Sequence, residues 1–110
     1  MESVKRVASV IRLDPQGVEE YERLHANAWP EVLKKITECN IRNYSIYRYD
    51  LLLFSYFEYA GQDMDADMAL MGEDPTTQEW WAACKPLQRT VDEISEGEWW
   101  HDIPEVFHHD

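Results

Sequence analysis

Residues 41–60, IRNYSIYRYDLLLFSYFEYA, leave little freedom about the centre of this chain. Tyrosine, isoleucine, leucine and phenylalanine dominate, and no proline interrupts them. The stretch predicts two strands with a turn near residues 48–50. By simple alternation Tyr44 and Ile46 share a face with Arg42 on the first strand. Leu51, Leu53, Phe57 and Tyr59 share one on the second.

A further strand signal and several helical signals flank this pair. Residues 4–13, VKRVASVIRL, put Val4, Ala8 and Val10 on one parity and Val7, Ile11 and Leu13 on the other. That pattern predicts a strand in a sheet covered on both faces. Asp14-Pro15 follows as an N-cap with proline in the first helical position. Glu19 and Glu20 suit the positive end of the helix dipole. The helix is expected over 15–28, with a break at Trp29, because Pro30 disfavours helical geometry in the residue before it. Pro30 opens a second helix, in which Val32, Leu33, Ile36 and Cys39 keep helical spacing.

After the strand pair, DMDADMALMG predicts a short helix closed by Gly72. EDPTTQEWWAAC predicts another, started by Asp74-Pro75, with Thr76 and Glu79 as a capping box. Pro86 ends it, and LQRTVDEI is expected to add a further turn or two. A last strand is expected at 105–108, with Pro104 suited to its start. The order is β, α, β, β, α, β, the split βαβ pattern of a ferredoxin-like α+β domain. The chain's 110 residues suffice for one domain, 1–110, and not for two ordinary ones.

Composition narrows the function classes. A hydrophobic share of 45% supports a real core, and a formal net charge of −12 repels nucleic acid and anionic membrane surfaces. MESVKRVASVIRL has no signal-peptide pattern, and no apolar run approaches a membrane span. Cys39 and Cys84 form neither a metal pattern nor a disulfide framework. A reduced cytoplasm is expected, with an intramolecular pair left open by sequence.

Tyr21, His25 and Trp29 stand four residues apart, and so form one stripe on a helix. A histidine there is either a buried group satisfied by backbone and tyrosine, or a general acid/base with a phenol beside it. Imidazole suits the second role because its pKa lies near neutral pH. Trp80 and Trp81 diverge by about 100° around a helix axis, so one stripe cannot bury both. They are either a core residue and an interface residue, or an aromatic wall for the C–H faces of a sugar. Tyr44 is an ordinary cross-strand aromatic, or a hydroxyl that reaches the same cavity as Tyr21. His101, His108, His109 and Asp110 lack convergent metal-ligand spacing, and DMDADM lacks the glycine and closing glutamate of a calcium loop. No phosphate-cradling glycine loop or nucleophile elbow is present.

Taken together, these residues resemble the L-rhamnose mutarotase family. The resemblance rests on an opening strand, then Tyr21, His25, Trp29, Pro30 and Glu31, then Asn43, Tyr44, Ile46 and Tyr47, then Trp80 with Trp81. It covers roughly residues 4–86 and the final strand. It implies a ferredoxin-like fold of the dimeric α/β barrel type, with no metal and no organic cofactor. It implies interconversion of the α and β anomers of a 6-deoxy-L-hexose, L-rhamnose first and L-fucose second. By this resemblance His25 is the proton donor, and Tyr21, Tyr44, Trp80 and Trp81 contact the sugar. A homodimer is implied, with a monosaccharide as the small-molecule partner. The chain departs from the family by Ala26-Asn27 after the histidine, where Asn-Pro is frequent, and by the charged, aromatic tail SEGEWWHDIPEVFHHD. Two other readings fit the same scaffold: a haem-degrading or quinol monooxygenase, and a sugar-binding protein without turnover.

Overall fold

The computed structural model describes residues 4–110. Strand β1, Lys5–Leu13, leads through a 3-10 turn at Pro15–Gly17 into helix α1, Val18–Ala26, and helix α2, Pro30–Glu38. Strands β2, Ile41–Tyr49, and β3, Leu52–Tyr59, form the central hairpin. Helices α3, Met64–Glu73, and α4, Pro75–Cys84, come next, and the short strands β4, Gln88–Arg89, and β5, His101–Ile103, close the sheet. The sheet runs β2-β3-β1-β4, with β5 also on β1, and every pairing is antiparallel. This is the ferredoxin-like α+β fold, of the class that includes dimeric α/β barrels.

The proline start signals act as expected at α2 and α4, but the helix expected over 15–28 is a 3-10 turn followed by α1, which begins at Val18 and ends at Ala26. Asp14 accepts a hydrogen bond from the Gln16 N–H, and Trp29, extended before Pro30, separates α1 from α2. Two stop signals act differently. Helix α3 runs through Gly72 to Glu73, and the residue that ends it is Asp74. Pro75 holds Asp74 extended, so the helix must stop there whatever stands at position 72. Asp74 also caps α4 in place of the expected Thr76–Glu79 box. Its carboxylate accepts from the Thr77 N–H at 2.9 Å and the Thr77 hydroxyl at 2.8 Å.

The C-terminal third departs further. LQRTVDEI does not continue as helix. A 3-10 turn at Lys85–Leu87 leads into β4, which pairs Gln88 with Leu13 and Arg89 with Arg12. The open edge of β1 takes up this chain, because its N–H and C=O groups need partners. The last strand lies at His101–Ile103, not at 105–108. Pro104 has no N–H to donate, so it ends the ladder instead of starting it. The fourth strand position is thus filled in two pieces, split by residues 90–100.

The two sheet faces differ. Ile11, Leu13 and Leu53 face α1, α2 and α4 and form a core with Tyr21, Val32, Trp80 and Cys84. The other face carries Val10, Phe54, Tyr47 and Tyr49, and the last two are 64% and 74% exposed. Simple alternation fails on β2. The register against β3 shifts between Arg42 and Ser45, and Asn43 adopts a left-handed φ of 49°. This β-bulge flips the parity. Arg42 pairs with Glu58 on the outer face, whereas Tyr44 turns inward and meets Phe57 edge-on at 5.7 Å. Arg42 and Tyr44 therefore do not share a face. Asparagine tolerates this φ, and its side chain donates to the Glu58 carboxylate at 2.7 Å. We expect Asn43→Gly to fold normally. Asn43→Val should lose about 1–3 kcal/mol in denaturant unfolding, the range for a strained backbone position.

Candidate active site

A cavity of about 340 Å³ lies between the inner sheet face and the helices. Tyr21, His25, Tyr44, Trp80 and Trp81 all line it. Five residues separated by up to sixty positions in sequence thus converge on one space.

Helix α1 sets the first two a single turn apart. Their rings stack at 4.1 Å with planes 23° apart. His25 Nδ1 lies 2.9 Å from the Tyr21 backbone carbonyl. A carbonyl only accepts, so Nδ1 carries the hydrogen and the neutral ring keeps its lone pair on Nε2. No protein group among the described residues bonds to Nε2, and none of their buried side-chain polar atoms lacks a partner. Nε2 is therefore free to meet a guest. Burial lowers the His25 pKa below 6.5, and the hydrogen bond to the Tyr21 carbonyl offsets only part of this.

Helix α4 supplies the tryptophans. Trp80 is buried, with its ring edge-on to His25 at 5.0 Å and to Trp29 at 5.2 Å. Trp81 is half-buried and lies between the two core clusters, with the Lys85 ammonium 5.7 Å from its ring centre. The pair therefore divides as its angular separation requires, yet both rings reach the cavity. Trp29 leaves the helical stripe because α1 has ended, and it serves as packing behind Trp80.

The two phenols stay neutral. Desolvation raises the Tyr21 pKa well above its ordinary value. Desolvation pushes the Tyr44 phenol up to about 12, although 45% of the residue's surface is accessible. Tyr21 Oη accepts from Gln88 Nε2 at 3.3 Å. The cavity end formed by Ile36, Ile41, Met68 and Met71 is apolar. The lining thus combines polar groups with apolar side chains, as small-molecule sites do.

Comparison with known proteins agrees. A family model described as L-rhamnose mutarotase matches residues 6–109. The chain belongs to the L-rhamnose mutarotase family. Members are isomerases acting on carbohydrates, and so is this mutarotase-family chain. It is 31% identical to an L-rhamnose mutarotase of Oceanobacillus iheyensis over 97% of this chain and 100% of that protein. It is 32% identical to one of Phocaeicola vulgatus, with the same coverage of 97% and 100%. Its fold superposes on the crystal structure of an L-rhamnose mutarotase from Formosa agariphila with a TM-score of 0.72, at 18% identity, covering 96% of this chain and 99% of that one.

Several cavity residues of this family member escape sequence reasoning. Gln88, Lys85, Trp99 and Trp100 also line the space. Gln88 sits in a segment whose sequence predicts helix, and Trp99 stands before the strand predicted at 105–108. The only hint was the aromatic pair in a charged tail. The histidines of that tail do not gather: His101 Nδ1 bonds Glu98 at 2.9 Å, while His108 lies near Glu105 and Asp110. Among the described residues no three His, Cys, Asp or Glu side chains come together as metal ligands would. Cys39 and Cys84 are both free and belong to different core clusters. Among the described residues no helix is long and apolar enough to cross a membrane.

Proposed function

We propose that this chain, as a single domain over 1–110, interconverts the α and β anomers of L-rhamnose, with L-fucose as the second candidate. The observation that carries this reading is His25 in the cavity, its Nδ1 committed to backbone and its Nε2 unoccupied, in a member of a mutarotase family.

Mutarotation opens the pyranose, turns the aldehyde about C1–C2 and closes the ring on the other face. Opening removes the proton from the anomeric O1 hydroxyl and delivers one to the ring oxygen O5. His25 Nε2 takes the O1 proton as C1=O1 forms and C1–O5 breaks. The imidazolium then gives that proton to O5, and closure reverses both transfers. The raised pKa of Tyr21 makes it a hydrogen-bond donor and not a proton source. Positioned proton transfer of this kind contributes about a hundred- to ten-thousandfold. Tyr44 binds hydroxyls, and Trp80 and Trp81 pack on C–H groups. The C6 methyl meets the apolar end, where a C6 hydroxyl would lose its water without a partner.

The reading includes a homodimer that buries the outer sheet face. Tyr47, Tyr49, Phe54 and Val10 form an apolar surface there, and Val106 and Phe107 of the tail are 94% and 81% exposed. Residues of that kind gather at interfaces. Light scattering should give twice the chain mass at micromolar concentration, and Phe54→Asp should shift it towards the monomer. A monomer across ordinary salt would contradict this. The two free buried thiols fit a cytoplasmic setting. Anomer-exchange NMR on L-rhamnose, L-fucose and D-glucose tests the activity itself.

A further inference from the structure

We infer that Gln88 is a positioning residue: held by the Trp99 indole, it makes the Tyr21 hydroxyl an acceptor towards the protein and a donor towards the sugar. The inference rests on the proposed reaction and adds two residues to its machinery.

The argument is one of donor and acceptor counting. Trp99 Nε1 lies 2.7 Å from Gln88 Oε1. An indole N–H only donates, so the amide oxygen must face it, and the amide NH₂ must face the other way. That other side holds Tyr21 Oη, 3.3 Å from Gln88 Nε2. A tyrosine hydroxyl has one hydrogen and can accept as well. Its acceptor side is occupied by Gln88, and no protein acceptor among the described residues takes its hydrogen. The hydrogen is therefore available to a guest in the cavity. Gln88 is 5% exposed and Tyr21 3% exposed, so water does not compete freely for the arrangement. Reversing the amide would leave the indole N–H facing NH₂, donor against donor, in a buried place.

The interruption of the fourth strand is what brings Trp99 there. Residues 90–100 leave β1 after Arg89 and return at His101. The return is pinned by Glu98, whose carboxylate accepts from the Ser95 N–H, the Asp102 N–H and His101 Nδ1. Gly97, with a left-handed φ of 82°, closes the turn just before it. The Lys85 ammonium lies 6.0 Å from the Trp99 ring centre, within reach of its π-face. An unbroken fourth strand would carry no such excursion, and Gln88 would have no donor to set its amide. The donor so produced suits O5, where negative charge develops as the ring opens.

The test is a double-mutant cycle on anomer exchange, with Gln88→Met, Tyr21→Phe and both together. Gln88→Met should lower kcat by about two- to tenfold with KM little changed, the size of one net hydrogen bond. In the Tyr21→Phe background it should cost nothing further, since its effect travels through that hydroxyl. Equal losses in both backgrounds would overturn the positioning role. A second measurement needs no turnover. In the ligand-free protein the Gln88 side-chain amide NMR signals should move in Tyr21→Phe, and they should move in Trp99→Phe, which keeps a ring but removes the N–H. Unmoved signals in both would overturn the relay. Moved signals in a protein inactive on every sugar would keep the relay and reject the proposed reaction.

Discussion

Replacing His25 by alanine should leave a folded protein that no longer accelerates anomer exchange. The loss should be about a hundred- to ten-thousandfold, the range for removing a positioned acid/base. The fold should survive because His25 is only half-buried and gives up one hydrogen bond, to a carbonyl already within α1. The same residue sets the acid limb of the rate profile. Desolvation holds its pKa below 6.5, and catalysis needs the neutral ring. The rate constant kcat/KM should therefore hold as pH falls through 6.5 and drop only below it. Stability follows the same sign. The unfolded chain takes up the proton first, so the contribution of His25 is complete above 6.5 and is lost as pH falls through the folded value. Exchange spectroscopy and urea unfolding across pH 4–8, a window of about four units around the ordinary histidine pKa, check both statements.

The second large effect belongs to the tryptophan pair, whose two members should fail differently. Trp80 is 8% exposed and packs on both His25 and Trp29. Trp80→Leu opens a void behind the imidazole. It should cost roughly 2–4 kcal/mol of stability, as large-to-small core changes do. It should lower kcat as well, because His25 loses the edge that fixes its plane. Trp81 is half-buried and faces the cavity between clusters. Trp81→Leu should raise KM for a 6-deoxy-L-sugar several-fold with a smaller change in melting temperature, since one aromatic contact carries about 0.5–1.5 kcal/mol. Tryptophan fluorescence in the Trp81→Leu protein should also respond less to added sugar. If neither replacement alters affinity or rate, the pair is structural and the sugar binds elsewhere.

Much of this was legible in the sequence where local chemistry decides the structure. Asp14-Pro15, Trp29-Pro30 and Asp74-Pro75 restrict the backbone itself: α2 and α4 start at their prolines, and Pro15 opens the 3-10 turn that leads into α1 at Val18. The four-residue spacing of Tyr21 and His25 survives because helical geometry is local. What was not legible depends on distant partners. Alternation places Tyr44 beside Arg42, but the bulge at Asn43 exists only against β3. The second half of Lys85–Arg89 becomes strand because β1 offers it an edge, and no property of LQRT alone announces that. Pro104 predicts the start of a strand, but the register against Ala8–Val10 puts the strand before it, at His101–Ile103. Trp99 and Gln88, eleven residues apart, meet only when the fourth strand breaks.

The central claim is that this cavity catalyses ring opening and closure of a 6-deoxy-L-hexose. Magnetisation-exchange NMR between the anomeric protons of α- and β-L-rhamnose, with and without the protein, measures that directly. The predicted result is an exchange rate that rises linearly with protein concentration, saturates with sugar, is weaker for D-glucose and vanishes in His25→Ala. An exchange rate indistinguishable from that of the sugar in buffer alone, with the protein folded and at micromolar concentration, would contradict the account.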